Sequence, residues 1–421
     1  MKNEVLLPAL LLAACTDVPR PRSPAPERQA PAQETAPRPA EPAAPATNVA
    51  AATGDMGLAL YRLLAAEPGN VFLSPVSIAG AFGPVVAGAE GETRQAILGA
   101  LRLPRGEGLH GELGGLLRGL ERSREGATVS IANALWVKRD FALRPQFAAN
   151  ARANYDALVE PLDFERAPAA AAQRINNWVG EETRGRIKEL IKASSLDADT
   201  RLVVTNAVYF LGDWALPFNP SATSEQPFYG PGGAVRQVPL MAMKRRFRYF
   251  ETESFQAIDL PYKDERLSMS VFLPRQRDGL RAFERGIDAA KLREWLARLD
   301  SAAPQEVRLF LPKLKVERSY NLVPALGQLG MGIAFDPRRA NFRSIAEADL
   351  FISQVVHKSF VRIDEKGTEA AAATGIEIEA TGAPIRPPPV FRADHSFFFL
   401  LRDKESGAVL FLGRIEAPER P

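Results

Sequence analysis

Glu365-Lys-Gly-Thr-Glu-Ala-Ala-Ala-Ala-Thr-Gly-Ile-Glu-Ile-Glu379, continued by Ala380-Thr381-Gly382, is the stretch on which the reading of this chain turns. Taken two residues at a time from Thr368, one face carries Thr368, Ala370, Ala372, Thr374, Ile376 and Ile378. The other carries Glu369, Ala371, Ala373, Gly375, Glu377 and Glu379. Small or apolar groups therefore stand on one side and every carboxylate on the other, the period of a β-strand with one buried face. The alanine run is too short between Gly367 and Gly375 to offset helix nucleation. Downstream, Pro384 and Pro387-Pro-Pro389 cannot donate to a ladder, so an extended segment follows. The pattern is a strand held inside a loop.

Three other stretches bear on it. Asn70-Val-Phe-Leu-Ser-Pro-Val-Ser-Ile-Ala79 is an apolar run broken by Ser74 and Ser77, with Gly88-Ala-Glu-Gly-Glu-Thr93 beyond it. Leu202-Val-Val-Thr-Asn-Ala-Val-Tyr-Phe-Leu211 is the strongest strand candidate, β-branched and aromatic around one asparagine, and Gly212-Asp-Trp214 and Phe218 follow it. Phe391-Arg-Ala-Asp-His-Ser-Phe397 rejoins the body after the loop. Together these resemble the serpins, inhibitors of serine proteases, across the chain from about residue 54. The resemblance implies a mixed α/β serpin fold with three β-sheets, eight or nine helices and an exposed reactive-centre loop at about 365–390.

The family mechanism is loop insertion as a new sheet strand. On this resemblance the hinge comprises Glu365, Gly367, Thr368, Glu369, Ala370, Ala371, Ala372 and Ala373. The scissile bond follows the residue sixteen positions after the hinge glutamate, which gives Thr381–Gly382 with Ile378, Glu379 and Ala380 setting specificity. Counting back from Phe397 would place it nearer Ile385. Small Ala380 and Thr381 suit an elastase- or subtilisin-like serine protease as partner. The implied shutter, where the main sheet opens, is Ser74, Ser77, Asn206 and His357; the implied breach, where the loop enters, is Trp214 and Lys313, with Glu365 pairing Lys313. The alternative is a non-inhibitory serpin, a surface binding or chaperone module, toward which Gly375 and Ser396 lean slightly.

Length and composition fit one large core: 421 residues, 24% of them charged, with a net charge of +3. That charge gives no reason to expect a nucleic-acid partner. Cys15 is the sole cysteine, so no internal disulfide forms. It ends a short apolar run, Val5 to Ala14, after Lys2, the size of a signal-peptide core, and Leu12-Ala-Ala-Cys15 resembles a bacterial lipobox. Residues 1–15 are expected to be a lipoprotein signal peptide with lipid on Cys15. Residues 16–53, rich in Pro, Ala, Arg, Glu and Thr, are expected to be a disordered tether reaching roughly 110 Å at ~3.1 Å per residue. Residues 54–421 are expected to form the domain, a monomer anchored at the cell envelope or outer membrane or else secreted.

Within the body, Met56, Leu60, Leu63 and Leu64 predict a helix, with others over 169–191 and 289–299. Val129–Val137, short strands from 236 to 274, Val307–Lys315, and a hairpin of Phe397–Leu401 with Val409–Gly413 supply strands. Gly83-Pro84 is expected to kink its helix.

Catalytic chemistry finds no support. His110, His357 and His395 are far apart and lack the spacing that puts two metal ligands on one helical face. There is no Gly-x-Ser-x-Gly elbow and no phosphate loop, so neither a cofactor nor a metal is expected. Lys244-Arg-Arg-Phe-Arg-Tyr249, the one basic cluster with aromatics, reads as a solvated strand face, the alternative being a polyanion site of the kind the resemblance to serpins allows.

Overall fold

The structure, a computed structural model, describes residues 48–122, 125–368 and 387–420. Its helices are α1 (Val49–Leu64), α2 (Pro75–Gly88), α3 (Gly91–Ala100), α4 (Leu109–Glu121), α5 (Pro145–Tyr155), α6 (Pro168–Glu182), α7 (Leu280–Gly286), α8 (Ala289–Ser301) and α9 (Val323–Leu326). The strands are β1 (Val71–Leu73), β2 (Ala127–Lys138), β3 (Leu158–Leu162), β4 (Leu202–Asp213), β5 (Ser224–Tyr229), β6 (Val235–Glu251), β7 (Phe255–Pro261) and β8 (Leu267–Pro274). They continue with β9 (Gln305–Pro312), β10 (Leu314–Asn321), β11 (Ile352–Ile363), β12 (Gly367–Thr368), β13 (Val390–Arg392), β14 (Phe397–Asp403) and β15 (Val409–Ile415).

The main sheet runs β10-β11-β4-β2-β3. At its centre β11 and β4 are parallel and paired from Ile352↔Leu202 to Phe360↔Tyr209. Past that point the chain leaves β11, turns at 364–366, and returns antiparallel along the end of β4, where β12 pairs Gly367↔Asp213 and Thr368↔Gly212. The other strands form one hydrogen-bonded network, β1-β15-β14-β8-β7-β6-β9-β13, with β5 also on β6. The expected three sheets are present among the described residues as the main sheet and two leaves of this network, β1-β15-β14-β8-β7 and β5-β6-β9-β13. The long β6 joins what would be separate leaves: residues 240–247 pair β9 while residues 248–251 pair β7.

Several local expectations shift. α1 starts at Val49, inside the segment assigned to the tether: the Asn48 side chain accepts the Ala50 N–H at 2.7 Å, capping the helix, and Val49, Ala50 and Ala52 are buried. Helical character over 169–191 stops at Glu182, because Arg184 and Gly185 take left-handed backbone angles. The Asn176 side chain then accepts the N–H groups of Leu190 and Ile191, folding the tail back on the helix. The 307–315 strand is two, divided at Pro312, and the 236–251 region is one strand rather than several. α2 runs unbroken through Pro84, and Gly83 is needed there because a Cβ would lie 2.2 Å from the Tyr155 ring.

Two apolar clusters hold these layers. The larger includes Phe72, Phe398, Phe399 and Phe411 of the hairpin leaf. The second lies between α6 and the main sheet, where Trp136 and Trp178 meet edge to face at 5.4 Å beside Phe164, Ile175 and Val203.

Candidate functional site

One polar row crosses the centre of the main sheet. Strand register sets Tyr320 of β10 opposite His357 of β11, His357 opposite Asn206 of β4, and Asn206 opposite Asn133 of β2. His357 is fully buried, and the backbone N–H of Ser74 points at its Nε2, 3.1 Å away. A backbone N–H only donates, so Nε2 accepts and the ring proton sits on Nδ1. Nδ1 donates to Asn206 Oδ1 at 2.6 Å, and Asn206 Nδ2 donates onward to Ser77 Oγ at 2.5 Å and Asn133 Oδ1 at 2.6 Å. Ser74 Oγ caps α2 by accepting the Ser77 N–H at 3.4 Å. Burial pushes His357 down to about 3, so the imidazole is neutral at physiological pH.

Ser74, Ser77, Asn206 and His357 are therefore in one connected network, which also takes in Asn133 and Tyr320. The Tyr320 ring lies parallel to the imidazole at 6.5 Å, and its hydroxyl accepts the Phe72 N–H at 3.2 Å. The energetic point is which bonds cross the β4–β11 seam. Of the side-chain bonds just described only His357–Asn206 does so, while His357 keeps Ser74, and Asn206 keeps Ser77 and Asn133, on one side or the other. Parting the strands would unpair one donor, the His357 Nδ1–H, and one acceptor, Asn206 Oδ1, while each side chain keeps its other bonds, so the cost is confined to that one pair at roughly 1–3 kcal/mol per unsatisfied group.

The second constellation sits at the end of that seam. Trp214 is buried; its Nε1 donates to the Asp364 carbonyl at 3.0 Å, and its backbone N–H to the Lys366 carbonyl at 2.8 Å. Its ring stacks on Tyr262 at 4.6 Å. Lys313 Nζ lies 2.8 Å from Glu365 Oε2, and Thr223 Oγ1 donates to Glu365 Oε1 at 2.8 Å. Burial opposes ionisation of Glu365, but these two bonds outweigh it and hold the carboxyl below its usual range. The two side chains keep only 25% and 11% of their exposure, so this is a largely buried pair, beyond the ~0–1 kcal/mol regime of a solvated one.

Gly367 and Thr368 follow directly. A Cβ on Gly367 would stand 1.9 Å from the Gly212 carbonyl oxygen, so only glycine permits this approach to β4. Thr368 is fully buried, its hydroxyl 2.8 Å from that of Tyr262. The other positions expected to form the hinge, Glu369 to Ala373, with Ile378, Glu379, Ala380, Thr381 and Gly382, lie outside the described residues, as does Cys15. On the far side Arg308 N–H donates to the Pro389 carbonyl, β13 pairs parallel with β9, and His395 Nε2 meets the Pro274 carbonyl at 2.7 Å.

Sequence reasoning passed over Asn133, Tyr262, Tyr320 and Thr223. Asn133 carried a signal, a lone asparagine inside the apolar Val129–Val137 run, like Asn206 in its own. The basic cluster is engaged internally: Lys244 pairs Glu306 at 3.1 Å, and Arg246 and Arg248 donate to the carbonyls of Pro304 and Ala302.

Comparison with known proteins agrees with this geometry. The family model described as Serpin (serine protease inhibitor) matches residues 51–418. An uncharacterised serpin-like protein of Thermococcus kodakarensis is 38% identical over 86% of this chain and 83% of its own length. The leukocyte elastase inhibitor of Bos taurus is 38% identical over 83% of this chain and 93% of its own. Among solved structures, a serpin of the insect Tenebrio molitor superposes with a TM-score of 0.79 at 31% identity, covering 88% of this chain and 98% of that one. With its fold, its polar row and the docking of Gly367 and Thr368 on β4 in hand, the chain belongs to the serpin family, described as serine protease inhibitors and not as enzymes.

Proposed function

We propose that this chain is a suicide-substrate inhibitor of serine proteases, cleaved at Thr381–Gly382. The observation that carries the reading is β12: the first two residues of a new strand, Gly367 and Thr368, already pair with β4 beyond the point where β4 and β11 separate. The sequence that follows offers Ala370, Ala372, Thr374, Ile376 and Ile378 to the same face, so nothing bulky or charged opposes continued entry. Eleven residues from Thr368 to Ile378 at ~3.3 Å each would extend the sheet by roughly 36 Å.

The chemistry belongs to the target. Its serine Oγ attacks the Thr381 carbonyl carbon, the Thr381–Gly382 C–N bond breaks, and the Gly382 amine leaves with a proton from the target's own general acid. An ester to Thr381 remains. Insertion then draws the attached protease away and distorts its site before water hydrolyses that ester. Glu365, held by Lys313 and Thr223, is the fixed end of the moving segment; the His357–Asn206 bond is the seam that opens. Ile378, Glu379, Ala380 and Thr381 suit an elastase- or subtilisin-like protease, in keeping with relatives named leukocyte elastase inhibitor.

The deciding experiment incubates the protein with elastase, subtilisin, chymotrypsin and trypsin and separates the products on a denaturing gel. A covalent band at the summed mass supports the reading. Clipping alone would favour a binding or chaperone module. We further propose that Cys15 carries lipid and that the segment after it holds a monomeric inhibitor at the cell envelope; labelled palmitate should enter the natural protein and not Cys15→Ser.

A further inference from the structure

α7 and α8 enclose, with the β6–β7 turn, a cleft of about 530 Å³, within the usual range for a small-molecule site. Three aromatic side chains line it. The ring centroids of Phe255 and Trp295 are 4.7 Å apart, those of Phe283 and Trp295 5.5 Å, and those of Phe255 and Phe283 5.4 Å. Phe255 and Phe283 are buried, while Trp295 is half-exposed. The far wall is low: Gly279, Ala282 and Gly286 face the same space.

The charges around this cleft differ in whether they are occupied. Arg275 is paired with Glu251 at 2.8 Å and donates to the Thr252 carbonyl, and Lys291 is paired with Asp288 at 3.9 Å and donates to the Gly286 carbonyl at 2.8 Å. Glu253 and Glu294 line the cleft with no partner among the described residues. Both uncompensated charges are negative, so an anion is disfavoured. A cation set over the indole face gains from the negative face of the ring as well as from the carboxylates. We propose that the α7–α8 cleft binds a lipophilic organic cation, an alkyl- or arylammonium whose apolar part rests on Phe255, Phe283 and Trp295 and whose charge faces Glu294 and Glu253. The cleft shares no residue with the polar row or the hinge, so its occupancy is measured independently of protease trapping.

The test titrates the full chain with phenyltrimethylammonium by calorimetry, beside two molecules of similar size, neutral tert-butylbenzene and anionic benzenesulfonate. Saturable binding of the cation alone is expected. Glu294→Gln, at an exposed position, should weaken it about tenfold, and Trp295→Leu by a similar factor. If Trp295→Leu proves unfolded by circular dichroism, Glu294→Gln alone decides. Absence of binding, equal binding of tert-butylbenzene, or an unchanged affinity in Glu294→Gln would overturn the proposal.

Discussion

The hydroxyl of Tyr262 lies 2.8 Å from that of Thr368, and both side chains are fully buried. Thr368 is thus a core residue in the uncleaved chain. Thr368→Arg asks a guanidinium to occupy a site with no exposure and no acid identified beside it, so β12 should detach from β4 and later insertion should stall. The variant is expected to be cleaved at the loop by a target protease without forming a complex stable in denaturant. Gly367→Val should behave likewise, because its Cβ would overlap the Gly212 carbonyl. Complexes formed by either variant as efficiently as by the natural protein would remove the hinge from the mechanism.

The polar row makes a second, quantitative prediction. Asn133 and Asn206 share a 2.6 Å hydrogen bond across β2 and β4, and both are buried. Asn206→Ala strands His357 Nδ1 and Asn133 Oδ1, with an expected loss of about 2–4 kcal/mol; Asn133→Ala strands only part of Asn206 and should cost about 1–2 kcal/mol. Because they act in one network, the double variant should be less destabilised than the sum by about 1 kcal/mol. Guanidinium unfolding of the uncleaved protein reads this directly, and strict additivity would mean the row is not coupled.

Much of this was legible beforehand and some was not, for a physical reason. Ser74, Ser77 and Asn206 each stand as polar residues in apolar runs, a local signal, while their meeting with His357 was implied by the family resemblance, and Gly367 with Thr368 lie in the alternating stretch. Tyr262 and Tyr320 give no such signal, since an aromatic residue in a strand is ordinary packing until register sets it against Thr368 or His357. Register also explains β6: whether 235–251 is one strand or several depends on neighbours far along the chain. The start of α1 was hidden because Val49-Ala-Ala-Ala52 carries no period, only a cap at Asn48 and burial supplied by the rest of the fold.

Two titrating groups, half-buried Glu121 and buried His357, oppose each other in their effect on stability. Glu121 accepts the Ile131 N–H at 2.9 Å at the end of α4; burial chiefly raises its carboxyl to about 7, against that hydrogen bond and with help from Asp156 and Glu182. It keeps its proton in the native state after the unfolded chain has lost it near 4.5, so its contribution is complete below 4.5 and lost as pH rises through 7. His357 is neutral in the native state down to about 3 but protonates in the unfolded chain near 6.5, so its contribution is present above 6.5 and lost as pH falls toward 3. Between 4.5 and 6.5 the two slopes cancel. Relative to the natural protein, Glu121→Gln should therefore gain stability with pH across that window by roughly 1.4 kcal/mol per pH unit, and His357→Asn should lose it at a similar rate. Parallel pH profiles for the natural protein and Glu121→Gln would show that the carboxyl titrates normally.

The inhibitory reading finally requires that the uncleaved molecule lie above a more stable arrangement of the same chain. β4 and β11 pair directly only as far as Tyr209 and Phe360, and β12 fills just the start of the space beyond. A cut in the 369–386 segment frees the residues after Thr368 to continue between those strands, replacing one ladder with two. Around ten new backbone bonds at ~1 kcal/mol each give about 10 kcal/mol, or roughly 10–20 °C for a domain of this size. Limited proteolysis with subtilisin followed by calorimetry measures it: the nicked protein, both fragments retained, should melt higher than the intact one by that order. Thr368→Arg, nicked the same way, should show no rise, because its hinge cannot lead the strand into the sheet. A nicked natural protein that melts at or below the intact temperature would leave β12 as a static edge contact and the chain a serpin that binds without trapping.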